Sequence, residues 1–181
     1  MSGTTPSPAR PKLATIWLDG CSGCHMSLLD MDERLLELTQ EADLVYGPLV
    51  DVKEFPEGVD VTLVEGAVGS TDDLRRIREV RARTRILVAL GDCAVTSNVP
   101  GMRNSLGPQA VLESVYLEKP TLNNQVPSQV VPRLLPESLP LHAWVQVDVY
   151  LTGCPPSADR IYGAIKALLD GAPVEQISRF G

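Results

Sequence analysis

The stretch "RILVALGDC", residues 85–93, constrains the fold more than any other part of this sequence. It is an apolar run that ends in Gly-Asp, which is typical of a strand buried on both faces of a parallel sheet. Four more β-rich stretches predict strands at residues 13–19, 43–51, 59–67 and 145–154. Parallel strands need crossover connections, so the chain must supply helices between them.

Helical segments do alternate with these strands. Residues 25–40 carry apolar side chains at near-helical spacing, and residues 71–84 open with a Thr-Asp-Asp cap. Residues 157–171 begin with a Ser cap and close with Gly, and one more helix is predicted near residues 109–118. The alternation predicts an α/β fold, specifically a flavodoxin-like doubly wound parallel sheet with a Pro-rich irregular segment.

Length and proline content set the organisation around this sheet. The 181 residues suit one flavodoxin-like domain covering 1–181, in which residues 1–11 are predicted to be a disordered tail. Fifteen prolines cluster at the N-terminus and between Pro100 and Pro140. Long irregular connections are therefore predicted in those two places.

Charge and hydropathy narrow the classes of partner. The formal net charge of −7 repels phosphate backbones, which argues against nucleic-acid binding. No apolar run approaches the ~18 residues of a membrane span, so no span is expected. The N-terminus has neither an apolar export core nor a twin arginine, which predicts a cytoplasmic protein. In that reducing compartment, four cysteines favour metal binding or thiol chemistry over disulfides.

The four cysteines all follow predicted strands. Cys21 and Cys24 come after the first strand, Cys93 after residues 85–92, and Cys154 ends the last strand. The carboxyl ends of strands form the ligand-binding edge of an open α/β sheet, so we expect the thiols to meet there. Glycines accompany each cysteine and allow backbone N–H groups to approach a ligand. Cys24 and Cys154 also precede predicted helices, whose N-termini favour thiolate.

Three chemistries fit thiols at such an edge. A thioredoxin-like dithiol would use Cys21 and Cys24 but leave Cys93 and Cys154 unexplained. A structural zinc site uses four thiolates, usually as two close pairs, whereas two of these cysteines stand alone in the sequence. A [4Fe–4S] cluster held by a preformed sheet suits the wide spacing and the N–H-rich turns.

At these residues the sequence resembles the small subunit of [NiFe] hydrogenases, and it is most similar to the cytoplasmic NAD-reducing (bidirectional) type. The matching motifs are "CSGCHMSLLD" (21–30), "VEGAV" (64–68), "ALGDCA" (89–94) and "LTGCPPSADRI" (151–161). Carried over by position, Cys21, Cys24, Cys93 and Cys154 match the family's ligands to the proximal [4Fe–4S] cluster.

The resemblance implies a role in reversible H2 oxidation. The Ni–Fe centre of such an enzyme lies in a separate large subunit, and the small subunit carries electrons away from it through the proximal cluster. In the NAD-reducing type, diaphorase subunits with flavin and Fe–S clusters accept them and reduce NAD+. The implied activity is that of a hydrogen:NAD+ oxidoreductase, with no catalytic residue in this chain.

Departures from the family pattern refine this expectation. Longer members have a twin-arginine leader and a C-terminal extension that binds two more clusters, whereas no cysteine follows Cys154 here, so one cluster is expected. The related subunit of respiratory complex I typically has two adjacent cysteines at the place where this chain has Cys21-Ser22-Gly23-Cys24. The separated pair therefore favours the hydrogenase resemblance over that relative. Small subunits of F420-reducing or sulfur-reducing hydrogenases have a related design and stay as alternatives. A zinc-stabilised partner-binding module is the alternative outside the family.

Four further features carry predictions. Glu65 ends a strand and is expected either to orient a loop or relay protons at the interface with the large subunit, or to cap a neighbouring turn. His25 is expected to cap or pack rather than to hydrogen-bond a sulfur. Flavodoxins bind FMN with a hydroxyl-rich loop after the first strand, but residues 19–24 read "DGCSGC", which argues against FMN in this chain. Residues 118–140 lack periodicity, so their apolar side chains are expected to pack over the sheet or the large subunit.

Overall fold

The computed structural model describes residues 10–119 and 124–172. The strands, in chain order, are β1 (Lys12–Trp17), β2 (Asp43–Tyr46), β3 (Val59–Glu65), β4 (Val68–Ser70), β5 (Thr84–Leu90), β6 (Leu134–Leu139) and β7 (Val149–Leu151). Five of them form a parallel sheet in the order β2-β1-β3-β5-β7. Numbered within that sheet alone, the order is the 2-1-3-4-5 of a flavodoxin-like fold, so the predicted fold class is confirmed.

Helices cover both faces of this sheet. They are α1 (Gly23–Leu29), α2 (Arg34–Glu41), α3 (Thr71–Arg83), α4 (Asp92–Thr96), α5 (Asn98–Gly101), α6 (Pro108–Glu113) and α7 (Ala158–Leu169). Successive strand residues point to opposite faces, which divides the core in two. Leu13 and Leu63 join α1, α2 and α7 in one apolar cluster, whereas Ile16 and Val64 join α3 and α4 in the other.

The single helix predicted over residues 25–40 is wrong in its extent. The chain forms α1 and α2 instead, separated by a turn at residues 30–33. Asp32 adopts a φ of 51°, in the left-handed region, which ends a right-handed helix. Met31 is only 2% exposed, so the turn packs a large side chain into the core.

Two helix caps can be compared with their predictions. The cap of α3 is Ser70 rather than the predicted Thr-Asp-Asp: the Ser70 hydroxyl accepts from the Asp73 N–H, and the Asp73 carboxylate accepts from the Ser70 N–H. The Ser157 cap of α7 is confirmed, since its hydroxyl accepts from the N–H of Arg160.

Strand lengths and the Pro-rich segment differ from expectation. The second and last strands of the main sheet are shorter than predicted, because β2 ends before Gly47-Pro48 and β7 has three residues. Within the Pro-rich segment, β6 pairs antiparallel with β4 in an unpredicted two-stranded sheet. Leu135 packs against the core, whereas Val130, Val131 and Leu134 are exposed in this chain. The predicted packing over the sheet or the large subunit therefore holds for Leu135 and stays a prediction for the other three.

Some predictions fall outside the described residues. Residues 1–9 of the predicted tail are outside the described residues. The last two residues of that predicted tail make hydrogen bonds instead: Arg10 donates to the Thr39 carbonyl at 2.9 Å, and the Pro11 carbonyl accepts from the Asp43 N–H. In the two described ranges, no helix is both long and apolar enough to cross a membrane. The assignment of residues 1–181 to one domain stays a prediction.

Candidate functional site

The four cysteines lie just past the carboxyl ends of three strands of the main sheet. Cys21 and Cys24 follow β1, Cys93 lies in the first turn of α4 after β5, and Cys154 follows β7. Strand β3 lies between β1 and β5 and ends in Glu65. All four thiols are free; Cys24 and Cys93 are buried, whereas Cys21 and Cys154 are exposed.

The thiols lie close enough to influence one another electrostatically. Burial raises the pKa of Cys24, and negative charge on neighbouring groups raises it further; these groups are Glu65, Cys93, Cys21 and Cys154. Burial also raises the pKa of Cys93, a rise opposed by a hydrogen bond from the Val99 N–H. The structure therefore brings the four predicted site residues together, and their role as ligands stays a prediction.

The four neighbouring thiols fit a positively charged inorganic group. Thiolates are the metal-binding form of cysteine, and the raised thiol pKa values mean that the protein alone disfavours them. Iron ions among the sulfurs would supply the missing positive charge. A four-iron cluster binds each cysteine at a different iron, so it does not require the close ligand spacing of a single-ion site. Within residues 10–119 and 124–172, no three or more His, Cys, Asp or Glu side chains are arranged to hold one metal ion.

A glycine allows the turn between β5 and α4 to approach Cys24. Gly91 has a φ of 81°, and a Cβ added there would lie 2.2 Å from the Cys24 sulfur. Any larger residue would therefore push Cys24 away or displace the turn that leads to Cys93. The glycine predicted to accompany Cys93 thus has a defined steric reason.

Glu65 holds the turn that carries Cys24. Its side chain is almost fully buried, and its Oε2 accepts from the His25 N–H at 2.9 Å, while Oε1 accepts from the Cys24 N–H at 3.4 Å. His25 Nδ1 also hydrogen-bonds Oε2, and its buried Nε2 has no hydrogen-bond partner among the described residues. The expectation that Glu65 caps a neighbouring turn is confirmed by these contacts. His25 packs beneath Trp17, with ring centroids 6.3 Å apart.

Backbone contacts tie the other turns together. The N–H of Asp92 donates to the Gly153 carbonyl at 2.9 Å, and its carboxylate accepts from the Gly153 N–H at 2.8 Å. The hydroxyl of Ser27, in α1, donates to the Pro156 carbonyl at 2.6 Å. These bonds connect the turn of Cys154 with those of Cys93 and Cys24. The sequence indicated Asp92 only as a turn residue and did not indicate Ser27, because their partners lie over 60 positions away in the chain.

Fold and site together define an α/β protein that presents four thiols from three strand ends at one sheet edge. The chain belongs to the family described as NADH ubiquinone oxidoreductase, 20 Kd subunit, whose sequence pattern matches residues 21–168. The matched range contains all four cysteines.

Sequence relatives of this chain are components of hydrogenases. It is 41% identical over 162 residues to a component of the F420-non-reducing hydrogenase vhu of Methanocaldococcus jannaschii, and the match covers 88% of this chain and 56% of that protein. It is 36% identical over 169 residues to the delta chain of the NAD-reducing hydrogenase HoxS of Cupriavidus necator, covering 91% and 81%. The chain thus spans just over half the length of the first of these relatives. The predicted resemblance to hydrogenase small subunits is confirmed.

Solved structures agree with this membership. A chain in the crystal structure of an NAD+-reducing [NiFe]-hydrogenase in the H2-reduced state superimposes with a TM-score of 0.88 at 36% identity, covering 95% of this chain and 96% of that one. A chain of the [NiFeSe] hydrogenase from Desulfovibrio vulgaris Hildenborough superimposes with a TM-score of 0.59 at 17% identity, covering 92% and 62%, which shows a shared fold.

Proposed function

We propose that this chain is the electron-transfer small subunit of a cytoplasmic NAD-reducing [NiFe] hydrogenase. Cys21, Cys24, Cys93 and Cys154 would hold one [4Fe–4S] cluster, which when bound supplies a one-electron carrier. A large subunit would contribute the Ni–Fe centre, and diaphorase subunits with flavin and Fe–S clusters would reduce NAD+. The observation that carries the proposal is the meeting of four thiols from three strand ends at one edge of the sheet.

Different residues of this chain would have different roles in forming such a site. Cys24 and Cys93 are buried, which keeps water from the inner side, and Glu65 fixes the turn between β1 and α1. Gly91 leaves room for the Cys24 sulfur. Cys21 and Cys154 lie on the exposed side, where a partner subunit would cover them. No side chain of this chain is assigned a bond-making step.

The NAD-reducing type is favoured by the structural likeness. The TM-score of 0.88 at 36% identity is to a chain of an NAD+-reducing [NiFe]-hydrogenase. A second candidate is the small subunit of a hydrogenase with another electron acceptor. It is favoured by the 41% identity to a component of an F420-non-reducing hydrogenase and by 36% identity over 154 residues to the gamma chain of the coenzyme F420 hydrogenase of Methanosarcina barkeri. Assays of the purified complex with H2 separate the two: reduction of NAD+ supports the first candidate, whereas reduction of coenzyme F420, or of neither acceptor, supports the second.

The thiol and zinc alternatives make different predictions. A dithiol oxidoreductase would keep its activity without Cys93 and Cys154, and a zinc module would be colourless and contain zinc rather than iron. FMN in this chain remains disfavoured by the cysteine-filled loop at residues 19–24. Flavin fluorescence after extraction of the isolated small–large subunit pair would contradict that expectation.

Replacing Cys93 with Ser tests the proposed electron relay. Cys93→Ser in the complete complex should abolish H2-dependent NAD+ reduction, because the hydroxyl of serine is a poor iron ligand. NADH oxidation with an artificial acceptor, which needs only the diaphorase, should stay unchanged. Thr96→Ser, an exposed position of the same helix α4, serves as the matched control. Wild-type rates of H2-dependent NAD+ reduction in Cys93→Ser would overturn the proposal.

A further inference from the structure

A short turn between α4 and α5 contacts two of the four thiols. Asn98 donates a hydrogen bond from Nδ2 to the sulfur of Cys154 at 3.4 Å, and the N–H of Val99 hydrogen-bonds the Cys93 thiol. Cys154 follows β7 and Cys93 follows β5, so one turn supplies donors to cysteines from two different strands. No sequence motif pointed to Asn98.

The backbone fixes this turn firmly. Ser97 is buried with a φ of 64°, its N–H donates to the Cys93 carbonyl at 3.0 Å, and its carbonyl accepts from the Gly101 N–H at 2.8 Å. Asn98 follows directly and begins α5, so its starting point is held relative to Cys93. The amide therefore reaches Cys154 from an anchored position, although the side chain itself is exposed.

Exposure of Cys154 gives this contact its importance. A sulfur open to solvent receives hydrogen bonds from water, but a docked partner subunit would remove that water. The Asn98 amide would then still donate a hydrogen bond to the Cys154 sulfur. In the low-dielectric interface that hydrogen bond would be electrostatically stronger than in water. Hydrogen bonds to cluster sulfurs are one of the means by which proteins set cluster potentials.

We propose that Asn98 is a positioning residue that raises the reduction potential of the cluster through its hydrogen bond to the Cys154 sulfur. This inference rests on the proposed function, because it requires iron bound to Cys154. When the cluster accepts one electron from an external reductant, its sulfurs become more negative, and an N–H donor favours that reduced form. Removing the donor should therefore make the potential more negative.

The test compares three variants in the complete complex. Asn98→Leu keeps the approximate shape and removes the donor, and Asn98→Asp keeps the shape more closely while replacing the amide nitrogen with oxygen. Thr96→Ser, at an exposed position of α4 two residues before Asn98, is the matched control, because it keeps the hydroxyl and makes no hydrogen bond to any of the four thiols. The measurement is an EPR-monitored redox titration of the cluster, with iron content determined on the same samples.

We expect negative shifts of the midpoint potential in Asn98→Leu and Asn98→Asp, the larger in Asn98→Asp because of its added negative charge, and no shift in Thr96→Ser. Wild-type potentials in an iron-loaded Asn98→Leu or Asn98→Asp would overturn the inference while leaving the proposed function standing. Iron loss from both Asn98 variants, but not from Thr96→Ser, would also overturn it, because the amide would then serve cluster assembly. A wild-type complex without any cluster signal from this subunit would instead refute the proposed function.

Discussion

Gly91 is the glycine of the proposed site at which an added Cβ would lie nearest to a cysteine sulfur. Its position between β5 and α4 brings the chain against the Cys24 sulfur, and its φ of 81° adds a conformational requirement for glycine. These two effects can be separated, because Gly107 also has a positive φ, 78°, but has open space around its Cα.

We predict that Gly91→Ala loses most of its cluster iron, while Gly107→Ala keeps it. Both variants should lose about 1–3 kcal/mol of stability from backbone strain, because a positive φ combined with a ψ of 166° at Gly91 or 156° at Gly107 is a conformation almost confined to glycine. Only Gly91→Ala adds a collision with Cys24, because the added methyl group would lie 2.2 Å from the sulfur. Iron content per complex and the thermal unfolding midpoint measure the two effects. Equal iron content in the two variants would show that the close approach at Gly91 is not needed for the cluster.

Residue chemistry at this edge could be predicted in part. The position of Glu65 at the end of an apolar strand left two roles open, a turn cap or a residue that orients a loop or relays protons. The structure shows its carboxylate accepting from two N–H groups of α1. The hydrogen bond of Asn98 to Cys154 could not be predicted, because it joins residues 56 positions apart whose spacing follows no motif.

At the scale of elements, hydrogen bonds from side chains, rather than a long series of backbone hydrogen bonds between strands, attach the Pro-rich segment to the rest of the protein. Asn104 donates to the Ser138 carbonyl at 2.9 Å and accepts from the Ser138 N–H at 2.8 Å, as a neighbouring strand would. Arg103 donates to the carbonyls of Leu135 and Gly69, one on each strand of the small sheet. Two adjacent side chains therefore fasten β6 to the body of the protein.

We predict that Asn104→Ala loosens β6 without unfolding the main sheet. Two hydrogen bonds to the Ser138 backbone are lost, which should cost about 2 kcal/mol locally. Hydrogen exchange should become faster in residues 134–139 and stay unchanged in β3 and β5. Ser105→Ala, at a neighbouring exposed position, is the control. Uniform acceleration across the protein, or none at β6, would contradict this account.

Element boundaries were harder to predict than element types. The five strands of the main sheet and their order follow from apolar runs and alternation, which depend on local sequence and general chain topology. The break between α1 and α2 depends on the left-handed conformation of Asp32 and the burial of Met31, and helical spacing alone conceals both. Strand β6 depends on Asn104 and Arg103, which lie about thirty positions earlier in the chain.

At the scale of the whole molecule, we expect the exposed side of the cysteine edge to be the surface that binds a partner subunit. Cys21 and Cys154 are exposed there, and two large apolar residues flank the first cysteine turn in the sequence, Trp17 at 44% and Met26 at 58% exposure. Exposed apolar side chains beside the proposed cluster site are typical of an interface that excludes water once it forms.

We predict that Met26→Glu weakens binding of the large subunit by at least tenfold, because a charge would be buried in the interface. Leu36→Glu, at an exposed apolar position of α2, is the control and should bind normally. Affinity can be measured by titrating the immobilised large subunit with each variant under anaerobic conditions. Equal affinities for Met26→Glu and Leu36→Glu would place the interface elsewhere.

The central claim is that the four thiols at three strand ends bind a single inorganic cluster. Iron-edge anomalous diffraction from crystals of the anaerobically purified complex tests it most directly. The account predicts one compact group of four iron atoms bonded to the sulfurs of Cys21, Cys24, Cys93 and Cys154. Anomalous density that is absent from this edge, or that leaves Cys93 or Cys154 without bound iron, would contradict it.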